Sequence, residues 1–250
     1  MRHFTGVTKL SFSVKESVDD LSPLGDIFKA LAVLDISDNE IEDISALAAN
    51  EVLYAIAADN NMISSIQALS GKEKLAAVFI SNNEVADISP LRDALGTLSY
   101  LDIGNNNVSD VSMLKDMAVK NVWLLMENNN ISDLSALPEK LQYKMLVVYG
   151  NPVTDVSFAE KMENIGYNAP LYLSYQENID YAAIGRSRFN DSTTLVDVPP
   201  DKKVSVLTSF VEGSSWKEPV FKTGEEADAE MADHREEIKA EIIADEAGDE

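Results

Sequence analysis

The sequence predicts an α/β repeat fold, a solenoid of short stacked coils followed by a small C-terminal extension. Three observations predict it. Asparagine recurs at Asn39, Asn61, Asn83, Asn106, Asn129 and Asn151, at intervals of 22 or 23 residues. Around each asparagine, apolar residues sit five and three places before it and two and five places after it, as in Leu34, Ile36, Ile41 and Ile44 around Asn39, or Leu101, Ile103, Val108 and Val111 around Asn106. A further leucine closes most units: Leu47, Leu69, Leu91, Leu114 and Leu137.

Each position has a physical role. Two apolar residues separated by one residue make a short strand with one face turned inward. The asparagine follows at the bend, where the backbone leaves the ladder and an amide can satisfy the groups of neighbouring coils. The later apolar residues fill the interior from the return arm. One coil cannot bury its own edge, so coils stack at about 4.8 Å.

In chain order, residues 1–30 read as an atypical N-terminal capping repeat, with Leu10 and Phe12 as its strand and Val18, Leu21 and Leu24 as its return arm. Residues 31–157 hold the full repeats. Residues 158–223 read as a C-terminal cap and extension. It opens on a Ser157-x-x-Glu160 capping box with a helix to about Asn164 and a stop at Gly166. Polar sequence with Pro199-Pro200 follows. Residues 224–250 form an acidic tail: from Glu225 to Glu250, twelve acids stand against Arg235 and Lys239. Met231, Ile238 and Ile242 could make a thin helical stripe there. A solvated tail or linker is the favoured reading of this segment, and a partner-binding helix is the alternative.

Composition excludes several function classes. The chain has 250 residues, 45% hydrophobic, with a net charge of -23, which argues against a basic surface for nucleic acid or anionic membrane. There is no cysteine and only His3 and His234, so thiolate or histidine metal sites and a serine–histidine–aspartate site lack material. No phosphate-binding glycine loop is present. Asp35 to Asp43 reads as a solvated acidic turn rather than a calcium loop. No catalytic residue, metal or cofactor is expected. No apolar stretch is long enough for membrane insertion, and the N-terminal residues show no signal-peptide pattern. This leaves a cytoplasmic protein on the chain as given, or a secreted or cell-surface one if a signal sequence is missing.

The units Leu34-Asp35-Ile36-Ser37-Asp38-Asn39-Glu40-Ile41-Glu42-Asp43-Ile44-Ser45 and Ile80-Ser81-Asn82-Asn83-Glu84-Val85-Ala86-Asp87-Ile88-Ser89-Pro90-Leu91 resemble the 22-residue leucine-rich repeats of bacterial internalins. They are also similar to those of a protein-phosphatase regulatory subunit of the same repeat class. The resemblance covers about residues 7 to 157. It implies a leucine-rich-repeat solenoid with a concave parallel sheet, a convex side of short 3-10 or irregular segments, and partners seated in the concavity.

Residues six, four and two places before each asparagine point away from the core, into that concavity. Early coils place small and acidic residues there, among them Asp35 and Asp59; together with Asp102 and Glu127 of later coils these acids suggest a partner with some basic character, or are solvated charges. Later coils place Phe79, Tyr100, Trp123, Leu125, Met145, Val147 and Tyr149, expected to form one contiguous apolar patch. A solvent-facing strand position has no core reason to be Trp or Leu, and Trp and Tyr are typical binding anchors. Two occupants fit the patch: a protein ligand, or the chain's own C-terminal apolar runs, Leu171 to Leu173, Val204 to Leu207, Phe210 to Val211 and Trp216 to Phe221. The function expected is a non-enzymatic scaffold binding a protein ligand. The alternatives are a structural or adaptor module of a larger assembly and a regulatory subunit of an enzyme.

Overall fold

The computed structural model describes residues 8–11, 18–24, 29–118, 121–140, 142–162, 169–187, 189, 192–213 and 219–245. Phe12, Asn164, Gly166 and Trp216, which the sequence reading used, lie outside them. The chain divides into two compact units. One comprises Met1–Val108 with His234–Glu250, and the other Ser109–Asp233.

The first unit contains β1 (Lys9–Ser11), β2 (Val33–Asp35), β3 (Ala55–Ala57), β4 (Ala77–Phe79) and β5 (Tyr100–Asp102). They pair in chain order and all in parallel. The register repeats coil for coil, so that Leu10, Leu34, Ile56, Val78 and Leu101 form one row across the strands. Short 3-10 turns at Ser22–Leu24, Ser45–Leu47, Gln67–Leu69 and Ser89–Ala94 form the return arms. Their closing leucines Leu47, Leu69 and Leu91 are fully buried, as are Ile41, Ile63 and Val85. An aspartate opens three of these turns: Asp20 accepts the Ser22 N–H at 2.8 Å, Asp43 the Ser45 N–H at 2.7 Å and Asp87 the Ser89 N–H at 2.8 Å. This side-chain turn holds the first free N–H of the arm.

The second unit contains β6 (Val122–Leu125), β7 (Tyr143–Val147), β8 (Leu171–Ser174), β9 (Thr193–Val196) and β10 (Val220–Lys222), also parallel and in chain order. Val122 aligns with Tyr143 while Trp123 aligns with Met145, so β7 carries one extra residue, Lys144, as a bulge. Its return arms change from a 3-10 turn at Ser112–Asp116 to α-helices: α1 (Phe158–Lys161), α2 (Tyr181–Arg186) and α3 (Lys203–Gly213).

Two sequence expectations differ from what is observed. The extension after Asn151 continues the solenoid: β8, β9 and β10 are further coils. They escape the repeat because none carries the ladder asparagine and helical arms replace the 3-10 turns. At α1, Ser157 stands at the N-cap without a side-chain cap bond, so the capping box is not formed. Asp155 accepts the Ser157 N–H at 2.8 Å instead, as Asp110 does from Ser112 and Asp133 from Ser135.

The C-terminal segment is α4 (Gly224–Asp245), a helix of 22 residues. Ala227, Met231, Arg235, Ile238 and Lys239 are buried, so the expectation of a solvated tail is corrected. Their spacing of three or four residues puts them on one helical face, and the acids occupy the rest.

Candidate functional site

The coils are pinned by the asparagine ladder. In the first unit, Asn61 accepts the Ile41 N–H of the preceding coil at 3.0 Å and donates to Ile36 O at 2.9 Å. It also donates to Ala58 O and Asp59 O of its own coil. Asn83 and Asn106 repeat the arrangement, with Ile63 and Val85 as donors. Asn39 accepts from Val18 N–H. In the second unit Asn151 accepts from Ile131 N–H and donates to Met126 O, and Asn129 donates to Met126 O and Glu127 O.

The residue before each asparagine has a left-handed backbone: Asp38, Asn60, Asn82, Asn105 and Asn128 lie at φ between 52° and 60°, and Gly150 at 71°. Asp, Asn and Gly are the types that tolerate this conformation. The bend they make delivers the following side chain into the stack. Gly150 is also sterically required, because a Cβ there would lie 1.9 Å from Asn128 Oδ1.

On the outer strand face of the first unit, two carboxylates organise the contacts. Asp59 accepts the N–H and the hydroxyl of Ser81, each at 2.9 Å, and the Lys239 ammonium at 3.0 Å. Asp102 accepts the Gly104 N–H at 3.0 Å and both Nε and Nη2 of Arg235, the latter at 3.2 Å. These pairs are dry: the Asp102 and Asp59 side chains are 0% and 5% exposed, those of Arg235 and Lys239 10% and 9%. Burial and the like charge of Asp102 push the Asp59 carboxyl above its ordinary range, against the pull of Lys239. Burial draws Lys239 down, but the Asp59 and Glu236 carboxylates together hold the ammonium above its usual value. Burial and the adjacent Asp102 charge likewise raise the Tyr100 hydroxyl.

Phe79 and Tyr100, two of the seven proposed contact residues, lie here. Their rings stack with centroids 4.4 Å apart. Both are buried, as are the outer-face alanines Ala55, Ala57 and Ala77.

The other five lie in the second unit. Leu125, Met145, Val147 and Tyr149 are buried and Trp123 is half-buried. The Tyr149 hydroxyl donates to Asp228 of α4 at 2.7 Å, and Asn128 donates to the same oxygen at 3.3 Å. Glu230 pairs with Lys222, and burial together with Glu230 raises the Tyr172 hydroxyl. The start of α4 is closed by a reciprocal capping box: Thr223 N–H donates to Glu226 at 2.8 Å and Glu226 N–H to Thr223 Oγ1 at 3.2 Å. Asp197 accepts the Gly224 N–H at 2.7 Å.

Sequence reasoning expected outward strand positions to be open to a ligand or covered by apolar runs between 171 and 221. The contacts from α4 come instead from the acidic segment. Its signals were present: Thr223-x-x-Glu226 as a helix start, and Arg235 and Lys239 four residues apart as the only bases from 225 to 250. Among the described residues no group of three or more acids or histidines is placed to hold a metal ion, and no helix is long and apolar enough to cross a membrane.

No family model matches the chain, and no curated protein matches it. Solved structures do. The internalin InlF of Listeria monocytogenes matches at 26% identity with a TM-score of 0.59, over 76% of this chain and 61% of that one, so this chain spans about three fifths of its length. Internalin C2 of the same organism matches at 22% identity and a TM-score of 0.49, over 66% and 80% of the two chains. A leucine-rich-repeat protein of Leptospira interrogans matches at 14% identity and a TM-score of 0.48, over 80% and 57%. With the asparagine ladder, the parallel coils and the 3-10 return arms, the likeness to InlF shows an internalin-like leucine-rich-repeat fold.

Proposed function

We propose that the protein is a non-catalytic scaffold that binds a protein ligand on its outer strand face through Phe79, Tyr100, Trp123, Leu125, Met145, Val147 and Tyr149. One observation carries this reading: residues on and just beyond the strands of the first unit already receive a helix of the same polypeptide through specific contacts, Asp59 with Lys239 and Asp102 with Arg235. A surface that holds a helix in cis has the chemistry to hold a polypeptide in trans. Trp123 and Tyr149 supply rigid, amphipathic anchors of the kind that dominate binding energy. A ligand reaching them competes with α4.

The test is site-specific photo-crosslinking. A photoreactive residue replaces Met145 in the full chain, and extracts of the source cells and their surroundings are screened for captured proteins. The expected result is a discrete captured protein that is lost when Trp123→Ala and Tyr149→Ala are introduced. Capture unaffected by both substitutions contradicts the reading.

A further inference from the structure

Resting on that reading, we infer that the outer face of the first unit is a receptor for a basic helix. The partner presents, on one helical face, two cations four residues apart in the places of Arg235 and Lys239, and α4 is the tethered occupant that such a partner displaces.

The spacing of the acids carries the geometry. Asp102 belongs to β5, and Asp59 follows β3, with β4 between them. Two strand intervals place their coils about 9–10 Å apart. Helix residues four apart rise about 6 Å on one face, and the long Arg and Lys stems span the remainder. Arg235 and Lys239 meet both carboxylates at once. A helix with one cation, or with cations two residues apart, does not.

The charge of the acids carries the chemistry. Both carboxylates are buried and each has committed one oxygen to a neighbouring N–H. The other oxygens, Asp59 Oδ2 and Asp102 Oδ2, accept from the two cations of α4. An apolar helix in the same place would leave two like charges uncompensated, which excludes it. The guanidinium suits Asp102, which it meets through two nitrogens, whereas the ammonium is a single point of contact at Asp59.

The weakness of the apolar contribution makes the occupant replaceable. Between His234 and Ile242, Ile238 is the one buried apolar residue of α4, and the exposed positions are mostly acidic. Buried ion pairs give specificity more than net stability. The covalent tether adds to the two pairs by acting as a high local concentration. A competing helix with the same cation pair and a larger apolar face overcomes it.

The test uses a fluorescent peptide of residues 223–245 and full-length chains. The chain carrying R235E and K239E no longer fills its own site. The parent peptide is expected to bind this chain at least tenfold more tightly than it binds the parent chain. It is also expected to bind at least tenfold more tightly than a peptide with both cations reversed. Equal affinity of the two peptides overturns the inference, as does absence of saturable binding to a variant that melts like the parent. If the variant melts early, amide exchange of residues 234–242 in the parent chain is followed instead. It should accelerate with excess parent peptide and not with the reversed peptide, and unchanged exchange overturns the inference. Ligand capture that depends on Trp123 and Tyr149 without any peptide binding would remove this inference and leave the proposed function standing.

Discussion

Lys239 and Asp59 are 180 positions apart in the chain, and their ammonium and carboxylate meet at 3.0 Å in a site almost closed to water. The pair ties the last helix to the third strand, and Arg235 with Asp102 repeats the arrangement on the fifth. Removing one member of a buried pair strands the other charge at a cost of about 3–5 kcal/mol. Lys239→Met alone should therefore lower thermal stability clearly. Adding Asp59→Asn, which keeps an oxygen for Ser81 while removing the charge, should restore most of the loss. Calorimetric melting of the single and double variants checks this, and a double variant no better than the single would contradict it.

Asn106→Ala should be among the most damaging single substitutions in the first unit. It leaves the Val85 N–H without its acceptor and the carbonyls of Ile80, Ile103 and Gly104 without the amide. Each buried polar group left unmatched costs about 1–3 kcal/mol, so a total of roughly 2–4 kcal/mol is expected in denaturant unfolding. Asn107→Ala, whose amide makes only a long 3.4 Å bond at the surface, should cost little and serves as the control.

Gly150→Ala should destabilise the second unit by two separate effects. The left-handed backbone at φ 71° costs a non-glycine residue roughly 1 kcal/mol. The added Cβ would also strike Asn128 Oδ1 at 1.9 Å, displacing the side chain that donates to Asp228. Gly96→Ala, where a Cβ meets nothing within 4 Å, should be nearly neutral in the same melting assay.

Acid sensitivity should trace to the return arms of the second unit. The carboxyls of Asp110, Asp133 and Asp155 are held below their ordinary range by hydrogen bonds from Ser112, Ser135 and Ser157. A depressed carboxyl contributes stability that is present above its unfolded value and is lost as pH falls through its folded one. Melting temperature should fall as pH drops below about 4. Replacing all three with Asn keeps an acceptor oxygen and removes the titration, so the drop should become shallower. An unchanged pH profile would count against this assignment.

Much of the fold was legible because the repeat is local. The spacing of Asn39, Asn61, Asn83, Asn106, Asn129 and Asn151 carries strand, bend and return arm together, each within one coil. Legibility ended where those cues ended. β8, β9 and β10 lack the asparagine, and Thr193 and Thr194 on β9 dilute the apolar signature. The role of α4 was hidden for a different reason. Nine acids dominate its composition and read as solvated, while its attachment depends on two bases and a few apolar residues. The partners of those bases, Asp59 and Asp102, are separated from them by well over a hundred residues, and no local pattern joins them. The outer strand positions were identified from the two-residue period. Their burial was not, since it depends on what lies over them.

In the free chain, α4 engages the outer strand face of the first unit through Arg235 and Lys239. Amide hydrogen exchange of residues 234–242, compared between the parent chain and R235E/K239E, tests it most directly. Strong protection is expected in the parent and exchange at least a hundredfold faster in the variant, with the strand amides of β3 to β5 protected in both. Equal and rapid exchange of residues 234–242 in both chains would contradict it.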